Sequence, residues 1–497
     1  MQNRRYFLKQ LGLLGAGLST LGLMPGDLTA AVPLLQEPLK AIRVKGRVTA
    51  RGKGISNVVM TDGLSVVQTD QQGYYSFISN NQRSYVYMSV PSGYSIPVQT
   101  NGSAAFFKKL DRQKKEVSLP FELTPLENKD DKHHFLVLAD TQIQNDYEAN
   151  QLLTVAAPDV YQTIQSIGDP NTFGIGCGDL VFDQLHLLKE YNEAVLKTGI
   201  PFFQVIGNHD MDLDVRSDEL TASTFNSHYG PTYYSFNRGE VHYVVLDDVF
   251  SLGKNKTYVG YITEEQLAWL EQDLKFVAPG SMVIVSVHIP LITGAVKRYP
   301  DRNQLGGTVS NREKLYEMLS PFTAHVMSGH THFNDNTVQG KVFEHNHGTV
   351  CGAWWSGPIC YDGTPSGYGV YEVNGSSLSW RYKSTGLHQD YQFRTYNKGA
   401  HPEQPEFRSV NVWNWDPDWK VHWYEDGIRK GEMQRIVAHD PLSVELHSGP
   451  ELPALRKWVE PQLSDHMFFF KTEDATKQVV VEVTDRFGNV FSEKLNS

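Results

Sequence analysis

From Phe135 to His332 the chain repeats one pattern, a short apolar run that ends on polar residues. The runs cover residues 135–139, 173–176, 202–206, 243–246 and 282–287, with helical segments between them. A strand that is apolar on both faces must be covered on both faces, so the runs predict sheets sandwiched by helices. The intervening segments agree. Leu185, Leu188, Val195 and Leu196 share one helical face that Gly199 ends. Thr263 with Gln266 forms a capping box for a helix over 264–274, where Leu267, Leu270 and Leu274 recur at helical spacing.

Both flanks read differently. Short strands over 42–49, 58–61, 74–78 and 85–90 alternate with Gly, Asn and Asp turns. Gly46-Arg47-Val48 through Thr69-Asp70-Gln71-Gln72-Gly73-Tyr74 resembles the transthyretin-like sandwich of carboxypeptidase regulatory domains. The polar residues 126–132 predict a linker. After His388, Trp- and Val-rich strands over 410–415, 419–423 and 478–484 predict a second β-sandwich. The expected organisation is a signal segment over 1–31, an N-terminal β-sandwich over 32–126, a central domain over 133–387 and a C-terminal β-sandwich over 388–497. A length of 497 residues accommodates about three domains.

Arg4, Arg5 and Lys9 precede an apolar run over 11–23 and the small residues Thr29-Ala30-Ala31. That is the pattern of a cleavable export signal, too short to span a bilayer, so no transmembrane anchor is expected after its removal. Asn3-Arg4-Arg5-Tyr6-Phe7-Leu8-Lys9 resembles a twin-arginine signal, which implies a periplasmic or secreted protein exported already folded; a plain secretory signal is the alternative. Acidic residues outnumber basic ones by 56 to 45, for a net charge of -11, which argues against nucleic acid as a partner. Three cysteines leave at least one unpaired. Cys177 reads as a core residue, and a Cys351–Cys360 bridge stays open.

Five polar groups follow the central strands: Asp140-Thr141-Gln142, Gly178-Asp179-Leu180-Val181-Phe182-Asp183, Gly207-Asn208-His209-Asp210, His288, and Gly329-His330-Thr331-His332. Taken singly, each has a bland reading, since an Asp after a strand caps a turn and a lone His fills a core. In Gly-His-Thr-His, alternate residues of an extended segment would aim both imidazoles to one side. As an ordered set, the five resemble the calcineurin-like metallophosphoesterases, whose pattern is Asp-x-His, Gly-Asp-x-x-Asp, Gly-Asn-His-Asp/Glu, His and Gly-His-x-His. The resemblance covers about residues 135–382, and Tyr229-Gly230-Pro231-Thr232-Tyr233-Tyr234-Ser235-Phe236 leading to Leu246-Asp247 is similar to the family's middle strands. One departure is Gln142, which stands where most members have His.

The resemblance implies an α/β fold, a central four-layer α/β/β/α sandwich flanked by the two all-β domains, around two divalent metal ions. One ion would take Asp140, Gln142, Asp179 and His332; the other would take Asp179, Asn208, His288 and His330, with Asp179 shared. Carboxylate, amide and imidazole donors without thiolate suit Mn, Mg, Fe or Zn, and the Gln142 oxygen tilts the choice toward Mn or Mg. The implied reaction is hydrolysis of phosphate mono- or diesters by in-line attack of a hydroxide held between metals about 3.5–4 Å apart. Diester or pyrophosphate cleavage is favoured, because simple phosphate release needs neither β domain. Two divalent ions, less Asp140, Asp179 and a hydroxide, leave about one net positive charge to draw in a phosphoryl group. His209 is expected to protonate the leaving oxygen or to stabilise the transition state, Asp183 to orient His209, and Asp210 to cap its loop. Candidate substrates are phosphorylated small molecules, nucleotide conjugates and lipid headgroups, while the oligomeric state is left open.

Two further groups carry expectations. Trp354, Trp355, Tyr361 and Tyr368 either wall the pocket or pack the join to the C-terminal domain, and His345 and His347 are expected at a solvent edge. A reading from another class is an exported glycan- or protein-binding protein on an inactive phosphoesterase scaffold.

Overall fold

Each apolar run of the centre is a strand, and the strands form two sheets. The computed structural model describes residues 39–253, 256–474 and 476–495, so the expected export signal over 1–31 lies outside the described residues. One sheet runs Phe202–Val205, Phe173–Cys177, Lys132–Leu138, Gly367–Asn374, Ser377–Ser384, the first three strands parallel and the last two an antiparallel hairpin. The other runs Tyr234–Arg238, Val241–Val245, Met282–Ser286, Thr323–Ser328, Val342–Asn346, Asp335–Gln339, its inner strands parallel and its two edge strands antiparallel.

Alternation along the strands separates the layers. Phe135, Val137, Phe173 and Ile175 share an interior with Phe236, Tyr243 and Ile284 of the opposite sheet. Leu136 and Leu138 instead join Val160, Ile164, Leu188 and Val195 of the helices Ala157–Ile167 and Leu188–Thr198. On the second sheet Val244, Val283 and Val285 cluster with Leu267, Leu270, Leu315 and Leu319 of the helices Glu264–Asp273 and Arg312–Leu319. The chain is thus mixed α/β, with the two sheets face to face and helices outside. The inter-sheet layer is aromatic: Phe203 and Phe236 stack at 3.7 Å, and Phe236 and Tyr243 at 4.7 Å. Helix ends follow the sequence signals, since Thr263 accepts from Gln266 N and Gly199 closes its helix in the left-handed conformation.

The N-terminal strands, arranged around Ala41–Ala50 and Val59–Thr61, cap both central sheets at their edges. Ser103 pairs beside Phe202, Ala104 N donates to Phe202 O at 2.8 Å, and Val90 pairs beside Phe236. Two edge strands that would otherwise expose unpaired backbone are covered. Val44, Val48, Met60 and Phe106 merge into the inter-sheet core. The segment expected to be a linker has no strand before Lys132, yet Asp130 is buried. It accepts from Gly93 N at 3.0 Å and pairs with Arg238 at 3.3 Å, a partner far along the chain that local polarity could not reveal.

After the hairpin, two four-stranded sheets enclose Val410, Val421, Phe468 and Val481. The strand expected over 410–415 is Arg408–Asn411; Asn414 is left-handed at φ 65, and Trp413 sits in the turn beneath the Arg394 guanidinium. His345 and His347 are buried, not at a solvent edge. The strand Val342–Asn346 is paired on both sides, so His345 meets His325 at 3.0 Å, and His347 meets the Tyr371 hydroxyl at 2.8 Å. Cys177, Cys351 and Cys360 are all free and buried. Among the described residues no helix is long and apolar enough to cross a membrane.

Because Phe236 fills the inter-sheet layer between Phe203 and Tyr243, Phe236→Ala is expected to lose about 3–5 kcal/mol of stability. A thermal melt should show a drop of several degrees, and an unchanged melting temperature would contradict this packing.

Candidate metal centre

The polar groups gather where the parallel strands of both sheets end. Asp140 follows Lys132–Leu138, Asp179 follows Phe173–Cys177, Asn208 follows Phe202–Val205, His288 follows Met282–Ser286, and His330 follows Thr323–Ser328. Ligands of open α/β sheets bind at such carboxyl ends. The backbone there is strained: Asp140, Gln142, Asp179, Asp183, His330 and His332 all have φ between 38 and 71. Such left-handed conformations cost about 1–3 kcal/mol each in a non-glycine residue and persist only where surrounding contacts hold them. Gln142 N donates to Asp179 O at 2.9 Å, and Asp183 N to His209 O at 3.1 Å. His330 N donates to Asp140 Oδ2 at 2.9 Å. Gly-His-Thr-His is therefore not an extended segment, and its two rings reach the cluster from left-handed turns.

Two glycines make the approach possible. Gly178 has φ 80, and a Cβ there would lie 2.3 Å from His288 Nδ1. A Cβ on Gly207 would lie 2.2 Å from Asp179 Oδ1. Both positions adjoin a candidate ligand.

Asp179 is the centre of the cluster. Its Oδ2 accepts from Gln142 Nε2 at 2.6 Å, and its Oδ1 lies 3.3 Å from His288 Nε2 and accepts from His209 N at 2.9 Å. His288 Nε2 is 3.2 Å from both Asn208 Oδ1 and His330 Nδ1. Ligand atoms of Asp179, His288 and His330 all lie within 4.8 Å of one another. His332 Nε2 is 3.5 Å from Asp140 Oδ1. The structure thus brings Asp140, Gln142, Asp179, Asn208, His288, His330 and His332 together.

Backbone carbonyls fix the three imidazoles. A carbonyl oxygen can only accept, so His288 Nδ1 donates to Cys177 O at 3.1 Å, His330 Nε2 to Gly306 O at 3.0 Å, and His332 Nδ1 to Gly352 O at 2.8 Å. His288 and His332 then turn Nε2 toward Asp179 and Asp140, and His330 turns Nδ1 toward His288 Nε2, the kind of backbone anchoring that orients metal-binding histidines. Burial pushes His330 down to about 3 and His332 down to about 4, keeping both lone pairs free at neutral pH. Burial pushes Asp140 up to about 8, with Asp179 adding to the rise. His288, despite a burial that opposes its charge, is raised to about 10 by Asp179 and Asp140, and Asp179, also against burial, is held far below its usual range by His288 and His209. Two carboxylates in a dry cluster demand positive charge nearby.

The residues fit a cation site on independent grounds. Asp140 Oδ1, Gln142 Oε1 and His332 Nε2 are buried and make no hydrogen bond. Buried polar atoms are nearly always paired, and three such acceptors from the set assigned to one ion are what a metal would satisfy. Their donor types, oxygen and imidazole, match that ion.

Around this set, His209 Nδ1 bonds Asp183 Oδ1 at 2.7 Å, and Lys256 donates to Asp183 Oδ2 at 2.5 Å. Although burial opposes it, the Asp179 and Asp183 carboxylates raise His209. Asp210 receives Val181 N and Gly207 N, a loop cap as expected. Trp354 stacks on His332 at 3.9 Å, Trp355 Nε1 donates to Thr141 O at 2.9 Å, and the Tyr361 hydroxyl donates to Thr331 O. Tyr368 behaves differently: it is buried against Asp159 and Thr163, so it packs a helix. Sequence reading missed Asp248, which accepts from His288 N at 3.2 Å, and Phe182, stacked on His209 at 4.1 Å. Asp248 had a signal, as an acid closely following an apolar run; Phe182 had none beyond adjacency to Asp183.

The model of a family described as the N terminal of calcineurin-like phosphoesterase matches residues 42–126, and that of its C terminal matches residues 344–491. No curated protein matches the chain. Among solved structures the chain is similar to a purple acid phosphatase from yellow lupin seeds, at 11% identity over 66% of this chain and 67% of that one, with TM-score 0.36. It is also similar to a 5'-nucleotidase from Candida albicans, at 15% identity over 50% of each chain, with TM-score 0.31.

Since no side chain fits at residue 207 beside Asp179, Gly207→Ala should yield a folded protein with at most half the wild-type bound metal by elemental analysis. Full metal occupancy in that variant would contradict the close approach.

Proposed function

We propose that this calcineurin-like phosphoesterase, matched by the family's models at both its N-terminal and C-terminal segments, cleaves phosphate diesters or pyrophosphates, and monoesters less well, at a pair of divalent metal ions. The observation that carries this reading is the trio of buried, unpaired acceptors on Asp140, Gln142 and His332, next to the convergent set around His288. Asp140, Gln142, Asp179 and His332 would hold one ion, and Asp179, Asn208, His288 and His330 the other. Asp179 suits the shared position because its two oxygens face the two groups separately. The metals, when bound, supply Lewis acidity and an activated water for in-line attack at phosphorus. Manganese or magnesium fits the oxygen that Gln142 brings in place of an imidazole.

The chain's own residues supply the proton. With Nδ1 engaged by Asp183, His209 has Nε2 left to donate to the departing oxygen, and the neighbouring carboxylates favour the charged ring that does so. Asp183 acts through His209 as a positioning residue, with Lys256 anchoring its far oxygen. Phe182 shields the same ring from solvent by stacking on it. A glycan- or protein-binding scaffold would have no need of unpaired buried acceptors or of left-handed backbone at the same residues, so those features favour the enzyme. The substrate class is a phosphorylated small molecule, such as a nucleotide conjugate or lipid headgroup. Export through the twin-arginine route belongs to the same reading and rests on Arg4 and Arg5.

With Mn²⁺ supplied and bis-p-nitrophenyl phosphate as substrate, Asn208→Ala and His330→Ala should lose bound metal and turnover together. His209→Ala should keep its metal and lose about 100-fold or more in kcat. Wild-type turnover in all three variants would defeat these roles. For export, replacing Arg4 and Arg5 together by Lys should leave the precursor in the cytoplasm by fractionation, and unchanged export would remove the twin-arginine proposal.

A further inference from the structure

A two-stranded hairpin springs from the metal centre and reaches back to it. Val249–Ser251 pairs antiparallel with Tyr258–Gly260, with Ser251 opposite Tyr258. The first strand follows Asp248 directly, and Asp248 Oδ1 accepts from the backbone N–H groups of His288 and Ile289, both at 3.2 Å. The second strand returns to the same residue, since Tyr261 N donates to Asp248 O at 2.8 Å. Gly260 ties that strand to the neighbouring loop: its N donates to Leu305 O at 2.8 Å, its O accepts from Ser310 N at 2.7 Å, and a Cβ there would lie 2.5 Å from Thr308 O. Ser251 N is held by Asp218 Oδ1 at 2.7 Å. A two-stranded hairpin is marginal in water by itself, so these ties set its position.

Two residues of the returning arm meet the site. Lys256 Nζ donates to Asp183 Oδ2 at 2.5 Å, and Asp183 holds His209, the candidate proton donor. Tyr258, two residues on, meets His330 edge to face, with ring centroids 5.9 Å apart and planes at 81°. The same ring lies beside Gly306, where a Cβ would be 3.7 Å from Tyr258 Cε2. The Gly306 carbonyl is the one that accepts from His330 Nε2. The hairpin therefore links the proton-donor side of the cluster to the side where His288 and His330 meet.

Lys256 is engaged by Asp183, whereas the Tyr258 hydroxyl is free. Tyrosines elsewhere around the strand ends are engaged: Tyr361 donates to Thr331 O, Tyr234 to Gln204 O at 2.8 Å and Tyr191 to Gln204 Oε1 at 2.7 Å. Among the described residues the Tyr258 hydroxyl has no hydrogen-bond partner, and it is not closed off from solvent as the unpaired hydroxyls of Tyr87 and Tyr316 are. Burial pushes this hydroxyl up, and Asp179 and Asp140 push it further, so both central carboxylates act on it. A half-buried phenol set edge-on to a candidate ligand, with its O–H unspent and open to solvent, is a neutral donor placed for a bound anion.

We propose that Tyr258 is a further substrate-contacting residue of this centre, its hydroxyl donating to a non-bridging oxygen of the phosphoryl group held beside His288 and His330. The proposal rests on the phosphoesterase reading for the group that binds and on the hairpin geometry for the donor. The ring and the hydroxyl have separate tasks: the ring packs against His330, and the O–H meets the anion. Tyr258→Phe keeps the first and removes the second.

The test uses the full chain loaded with Mn²⁺, isothermal titration with inorganic phosphate, and turnover of bis-p-nitrophenyl phosphate. Tyr258→Phe should keep the wild-type metal content and melting temperature, bind phosphate about tenfold more weakly, and lose about 10- to 100-fold in kcat/KM. Wild-type phosphate affinity in Tyr258→Phe overturns the proposal, and ester hydrolysis by the wild type then leaves the phosphoesterase reading standing. Loss of bound metal in Tyr258→Phe also overturns it, because the residue would then act only by supporting His330. Weakened phosphate binding by Tyr258→Phe, in a protein whose wild type hydrolyses no ester, keeps the donor and removes the phosphoesterase reading. Phosphate that binds neither protein removes both.

Discussion

The structure turns on the Asp179 carboxylate, which is buried at the junction of two sheets and held ionised by the imidazoles of His288 and His209. Its two oxygens meet Gln142 on one side and His288 on the other, and the His209 backbone N–H joins the second. A carboxylate cannot stay ionised in such surroundings without positive charge close by. That demand drives His288 to hold a proton, while burial drives Asp140 to do the same and keeps His330 and His332 neutral with lone pairs free. A divalent cation would satisfy all of them at once.

The rest of the fold serves to hold this cluster in a conformation that the backbone would not choose. Parallel strands deliver the candidate ligands to one end, and the aromatic layer between the sheets, with Phe203 against Phe236 and Phe135 against Tyr243, fixes their spacing. The N-terminal strands close both outer edges, through Ser103 beside Phe202 and Val90 beside Phe236. The C-terminal segment is tied to Tyr361 and, through Arg456 and Trp458, reaches Phe182 and Trp354, which stack on His209 and His332.

Much of this was legible in the sequence, because the signals were local. The apolar runs are strands, Thr263 with Gln266 caps its helix, and Gly199 ends the other as its type predicts. The glycines of Gly-Asp and Gly-Asn motifs were visible as motif members, and the structure supplies the reason, since no Cβ fits there. Where periodicity was extended beyond its domain it failed. His330 and His332 are not two alternate residues of a strand but two left-handed turns, and His345 is buried because its strand gained a partner, Asp335–Gln339, from a hairpin that pattern alone did not fix. Asp130 and Arg238 illustrate the same limit for charge, as a pair joined only by the fold. Arg456 and Trp458 had no signal at all, because a rim loop needs no period and its partners lie in a distant part of the chain.

The most direct test is anomalous diffraction from crystals grown with Mn²⁺. Two peaks are expected within about 4 Å of each other, one against Asp140, Gln142 and His332, the other against Asn208, His288 and His330, with Asp179 reaching both. A well-ordered Asp179 with no anomalous peak beside it, or a lone peak that leaves the Asp140, Gln142 and His332 atoms unpaired, would contradict the account.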